Sequence, residues 1–253
     1  MDAYLKAFWL PKDGSTEGEY EDAFFPRHSS SFTGERLRFA IADGATEASF
    51  SKLWARMLVR AFGRRVINFP LTTAALAPLR ELWAASVHKK TLPWYAEEKA
   101  ASGAFSALVG LELKEDPASD EPGQTWRAMA AGDSCLIQIS GNEMTACFPL
   151  SESSAFTNQP DLLGSLAGEP IDDRRVVLEC KGTWTREDQF FLMTDAVACW
   201  FLKQTEEGNR PWVNFKNGEL DSQAAFGRLI AEVRKAGAMK NDDVTLMKIE
   251  VLG

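Results

Sequence analysis

Carboxylates stand at the tips of four apolar runs in this chain. They are Glu21-Asp22 before Ala23-Phe24-Phe25, and Asp43-Gly44 after Phe39-Ala40-Ile41-Ala42. The other two are Thr194-Asp195 after Phe190-Phe191-Leu192-Met193, and Asn241-Asp242-Asp243 before Val244-Thr245-Leu246-Met247. Each run has the length and the β-branched or aromatic content of a buried strand. A carboxylate at such a tip is costly unless it is hydrogen-bonded or paired with a cation. Tips this far apart in sequence can converge at one end of a sheet, where they repel. Hard divalent cations bound through oxygen are the usual remedy. The pattern therefore predicts a sheet protein with a metal site built from strand ends.

The remaining composition fits that reading. The 253 residues are 45% hydrophobic and 25% charged, enough for a sizeable core. A net charge of -8 argues against a nucleic-acid or anionic-membrane partner. Arg60, Arg64 and Arg65 fall on an expected helix and read as a solvated face. Cys135, Cys147, Cys180 and Cys199 are widely spaced, form no C-x-x-C pair and read as buried free thiols. No apolar run reaches the ~18 residues of a membrane span, and no basic-then-apolar leader opens the chain. A cytoplasmic protein is the expectation.

Periodicity predicts strands over 3–10, 21–26, 36–42, 104–113, 125–131, 136–140, 143–148, 174–179, 189–194 and 244–251. Helical spacing covers 51–67, 73–89, 195–204 and 222–236, with a short helix beginning near Pro93. Most strands follow one another without a helical crossover, so the sheets should be mainly antiparallel, with helices outside. Residues 150–173 are polar, carry Pro160, Gly164, Gly168 and Pro170, and read as an ordered surface excursion. No linker or internal repeat divides the chain, so 1–253 is expected to form one domain.

Five motifs in order, Glu21-Asp22-Ala23, Ala42-Asp43-Gly44, Ala131-Gly132-Asp133-Ser134, Met193-Thr194-Asp195 and Asp242-Asp243-Val244-Thr245, make the chain resemble the PP2C-type metal-dependent protein phosphatases. The resemblance implies an α+β fold, a four-layer α-β-β-α sandwich of two mainly antiparallel sheets flanked by helices. It implies hydrolysis of phosphoserine or phosphothreonine by a water bridging two Mn2+ or Mg2+ ions. By the same resemblance Asp43 would bridge the ions, Glu21 and the Gly44 carbonyl would serve one, and Asp195 and Asp242 the other. Asp22 would orient bound water, and Asp133 would join Asp195 at a weaker third site. The excursion at 150–173 would be a flap selecting substrate. The partners implied are a phosphoprotein substrate and a separate cognate kinase, with the chain itself a monomer.

Three departures qualify the resemblance. Where relatives carry a phosphate-binding arginine this chain has Glu17, and Lys12 is the nearest substitute, as a point charge. Ala45 stands where some relatives have a histidine. Ala196 follows Asp195 in place of glycine, and Gly103-Ala104-Phe105-Ser106 is a loosened strand motif. Simpler readings also stand beside the ligand roles: a helix cap for Asp195, a turn for Asp43-Gly44, a β-turn for Asp133, a loop for Asn241-Asp242-Asp243 and an edge charge for Glu21. His28 and His88 read as surface residues. Two other functions remain open: a non-catalytic phosphoprotein-binding module on the same fold, and a hydrolase of small phosphate esters.

Overall fold

In the computed structural model of the chain, the described residues are all except 46–49, 90–96, 98–99, 116–123, 167–175, 217–221 and 253. Two antiparallel sheets form the centre. The first has six strands: β1 (Asp2–Leu10), β3 (Ser30–Thr33), β8 (Cys135–Ser140), β9 (Glu143–Phe148), β12 (Gln189–Met193) and β13 (Val244–Leu252), in the order β3-β1-β13-β12-β8-β9. The second has five: β2 (Ala23–Phe25), β4 (Arg36–Ala42), β6 (Leu108–Glu115), β7 (Gln124–Ala131) and β11 (Leu178–Thr183), in the order β11-β7-β6-β4-β2. A small ladder joins β5 (Phe105–Ser106) to β10 (Leu163–Gly164). Helices among the described residues include α1 (Ser51–Gly63), α2 (Thr73–His88), α3 (Asp195–Glu206), α4 (Trp212–Lys216) and α5 (Gln223–Lys235).

Alternation along the strands creates the layers. Phe39 and Ile41 of β4 meet Phe190 and Leu192 of β12, with Leu5 and Ile249, in the core between the sheets. Ala40 and Ala42, on the opposite face of β4, pack under Trp54, Leu58 and Phe62 of α1 and Trp83 of α2. Phe191 and Met193, on the other face of β12, pack under Phe201 of α3, Phe215 of α4 and Phe226 of α5. These central strands are buried on both faces, which is why they read as unbroken apolar runs. The four-layer sandwich expected from the sequence is the one observed.

Most predicted elements fall in place, with some corrections. The strand expected at 174–179 is β11, shifted to Leu178–Thr183. The strand expected over 104–113 is interrupted into β5 and β6. Strand β3 and helix α4 were not anticipated. The start expected near Pro93 lies outside the described residues, as do 167–173 of the excursion. Of the four free cysteines only Cys135 is buried; the other three are partly exposed, because they sit on edge strands or the solvent side of α3. His28 and His88 are exposed. No helix among the described residues is long and apolar enough to cross a membrane.

Candidate metal centre

Strand register brings the acidic tips together. Ala23 pairs with Ala42, which sets Asp22, just before β2, beside Asp43, just after β4. Met193 pairs with both Cys135 and Leu246, which sets Thr194-Asp195 near Asp133 and the residues preceding β13. All the tips therefore lie at one end of the sandwich. A cleft of about 740 Å³ opens there, and Asp43, Asp133, Asp195, Asp242, Lys12 and Lys240 contribute to its wall. Residues 157–160 of the excursion form part of the rim.

Each side chain is held differently. Asp22 is 2% exposed. Its Oδ2 accepts hydrogen bonds from Thr245 Oγ1 at 2.6 Å and Thr194 Oγ1 at 3.2 Å. Tyr20 extends this chain, its hydroxyl lying 2.5 Å from Thr245 Oγ1. The Asp43 carbonyl accepts from the Ala107 amide and Ser106 Oγ, both at 2.8 Å, which fixes the chain where it leaves β4. Gly44 has to be glycine, since a Cβ there would lie 2.9 Å from the Glu21 carbonyl oxygen and 3.1 Å from the Ser51 backbone. Glu21 Oε1 accepts from Ser51 Oγ at 2.6 Å, at the start of α1. Gly132 takes φ +84° so that β7 can turn toward Asp133.

Asp243 has a different task from its neighbour. Its two oxygens accept from the Lys12 amide at 2.9 Å and the Glu21 amide at 2.6 Å. Asn241 Oδ1 accepts from the Asp13 amide at 2.7 Å, and Arg234 donates to Asp13 Oδ1 at 2.9 Å and to the Asp242 carbonyl. The loop carrying Lys12 is thus latched to the turn before β13, which places Lys12 at the cleft. Glu17 is exposed and is not among the cleft's described lining residues; neither are Glu21 and Gly44.

Electrostatics record the crowding. Burial, then the neighbouring charges of Asp22, Asp195, Asp133 and Asp242, push the Asp43 carboxyl far above the usual carboxylate range. Asp22 is raised in the same way by burial and then, among the charges, by Asp243 and Asp195. Burial also raises Asp195, against the pull of Lys240. Asp133 is pushed up to about 6, by burial first and by Asp195 next. Asp195 is not a helix cap: Thr194 holds that position, and its hydroxyl is turned to Asp22. Asp195 instead opens α3, where the helix dipole favours its negative charge. Ala196 does not have positive φ, so the methyl group that replaces glycine there causes no backbone strain.

These donors fit a hard cation. The cleft's Asp43, Asp133, Asp195 and Asp242 offer carboxylate oxygens, and one of these, Asp195 Oδ1, is buried without a hydrogen-bond partner. As the side chains stand, no three His, Cys, Asp or Glu among the described residues form a group able to grip an ion. The sequence reading missed one residue here. The ammonium of Lys240 lies 2.6 Å from Asp242 Oδ2 and 3.6 Å from Asp195 Oδ2. Its only sequence signal is a cation two residues before Asp242.

No family profile and no curated protein sequence matches the chain. Solved structures do. The serine/threonine phosphatase PstP/Ppp of Mycobacterium tuberculosis is 13% identical with a TM-score of 0.58, covering 100% of both chains. The PstP catalytic domain in complex with two manganese ions is 13% identical with a TM-score of 0.54, covering 99% of this chain and 100% of that one. The serine/threonine phosphatase of S. agalactiae is 12% identical with a TM-score of 0.54, covering 98% and 100%. At such identities the likeness is one of fold. The resemblance drawn from the five motifs is thereby a shared architecture: the chain has the PP2C-type phosphatase fold over its whole length.

Proposed function

We propose that this single-domain chain is a metal-dependent phosphatase acting on phosphoserine and phosphothreonine in proteins. The observation that carries the reading is the convergence of Asp43, Asp133, Asp195 and Asp242 on one cleft, with a buried oxygen of Asp195 left unpartnered. Asp43, Asp195 and Asp242 would hold two Mn2+ or Mg2+ ions, with Glu21 and the Gly44 carbonyl on the α1 side and Asp133 at a weaker third position. Such ions supply Lewis-acid polarisation of a phosphoryl oxygen and acidify water.

The chain's own residues do the rest. Asp22, itself held by Thr194 and Thr245, would orient water in the site. Lys12, held at the cleft by the Asp243 latch, attracts the substrate phosphate. The 157–160 rim contacts the flanking peptide, so the flap at 150–173 selects substrate. A phosphoprotein substrate, a separate cognate kinase, a monomeric state and a cytoplasmic location complete the proposal.

The contact of Lys240 with Asp195 and Asp242, together with Glu17 at the arginine position, favours one second reading: a phosphoprotein-binding module without turnover. Hydrolysis of p-nitrophenyl phosphate, with and without Mn2+, separates the two. Turnover that needs the metal and vanishes in Asp195→Ala supports the phosphatase. Metal binding without turnover supports the module.

A further inference from the structure

Asp195 and Asp242 come from different elements, the first turn of α3 and the turn before β13, and share no hydrogen bond with each other. What joins them is the Lys240 ammonium, at 3.6 Å and 2.6 Å. One positive charge between two carboxylates leaves the group anionic, and Asp195 Oδ1 stays buried and unpartnered. A divalent cation would satisfy what the ammonium does not. Lys240 can also leave at small cost, because its side chain is 64% exposed and carries its charge on a flexible stem.

We propose that Lys240 is a tethered counter-ion: it bridges Asp195 and Asp242 in the metal-free protein, and a divalent cation must displace it to bind there. The inference rests on the metal-centre reading above. Binding then occurs only to the fraction of molecules with Lys240 swung out, so an inward population of about 10:1 weakens the apparent affinity about tenfold. The same contact keeps the cluster from flying apart when no metal is present.

The test uses the full chain, with Mn2+ titrated by calorimetry and melting followed with chelator present. Three proteins are compared: wild type, Lys240→Met, which keeps the unbranched stem, and Lys240→Arg, which keeps the charge. The expected result is Mn2+ binding about tenfold tighter or more in Lys240→Met. Its metal-free Tm should drop and be restored by Mn2+, while Lys240→Arg stays near wild type. Equal or weaker Mn2+ affinity in Lys240→Met, with wild type binding normally, overturns the inference. Absence of Mn2+ binding in both wild type and Lys240→Met overturns the metal-centre reading as well, so the Lys240→Met trace tells the two failures apart.

Discussion

Asp133→Asn should stabilise the metal-free protein. Asp133 is 7% exposed, and its carboxyl is carried from an ordinary 3.8 to about 6 by burial first and the Asp195 charge second. In the folded state it therefore holds its proton through a pH range where the unfolded chain has lost it. The stabilisation from that proton is complete below pH 3.8 and is lost as pH rises through about 6. At about 1.36 kcal/mol per pH unit, ionised Asp133 destabilises the fold by ~3 kcal/mol at pH 7. Asparagine has nearly the same shape and cannot ionise, so its stability should not change across that window on its own account. Urea unfolding with chelator at pH 7 should find the variant more stable by up to ~3 kcal/mol, with the gap closing near pH 4. Excess Mn2+ should reduce or invert the difference, because a ligand stabilises whichever protein binds it better. A variant no more stable than wild type at pH 7, or a gap independent of pH, would refute the argument that crowding raises this carboxyl.

Two further predictions concern the scaffold. Glu112 is 3% exposed and accepts from Arg38 Nε at 2.6 Å and Arg127 Nε at 3.0 Å, in one row across β4, β6 and β7. Glu112→Ala leaves the buried Arg38 guanidinium without its carboxylate and should cost about 3 kcal/mol in urea unfolding, the low end of the usual range. That end applies because Arg38 keeps the Phe62 and Ile67 carbonyls, both at 3.0 Å; an unchanged midpoint would contradict it. In Gly110→Ala the new methyl group would lie 2.7 Å from the Phe62 ring, so overpacking between β6 and α1 should cost about 1–3 kcal/mol, seen as a lower Tm.

How much the sequence disclosed depended on burial. Strands such as β4 and β12 are apolar on both faces and were readable to within a residue or two. Strand β3, Ser-Ser-Phe-Thr, has two residues largely open to solvent and little apolar signal, and β11 is an edge strand whose Leu-Glu-Cys-Lys-Gly-Thr pattern is set by its pairing with β7. The carboxylates that line the cleft were legible because each interrupts an apolar run. Lys240 was not, because its role comes from a contact with Asp195 across 45 positions of sequence. Arg38 and Glu112 were invisible for the same reason: a charged residue inside a strand reads as a solvent-facing position until its cross-strand partner is known.

Asp242 and Asp243 show why position in a motif does not decide a role. They are adjacent, have the same chemistry, and immediately precede the same strand. A tight turn, in which the Asp242 amide donates to the Lys240 carbonyl at 3.1 Å, precedes the strand, and the two side chains meet different partners. Asp243 turns toward the β1–β2 loop, where a backbone amide donates to each of its oxygens, so it acts as a latch. Asp242 turns toward the cleft: its Oδ1 accepts from the Asp243 amide at 3.0 Å, while Oδ2 meets the exchangeable ammonium of Lys240. Backbone amides cannot leave, whereas a lysine can. The latch is therefore permanent and the ligand position remains open to replacement. The register of β13 against β1, which pairs Val244 with Leu10, brings this turn up against the loop that follows β1.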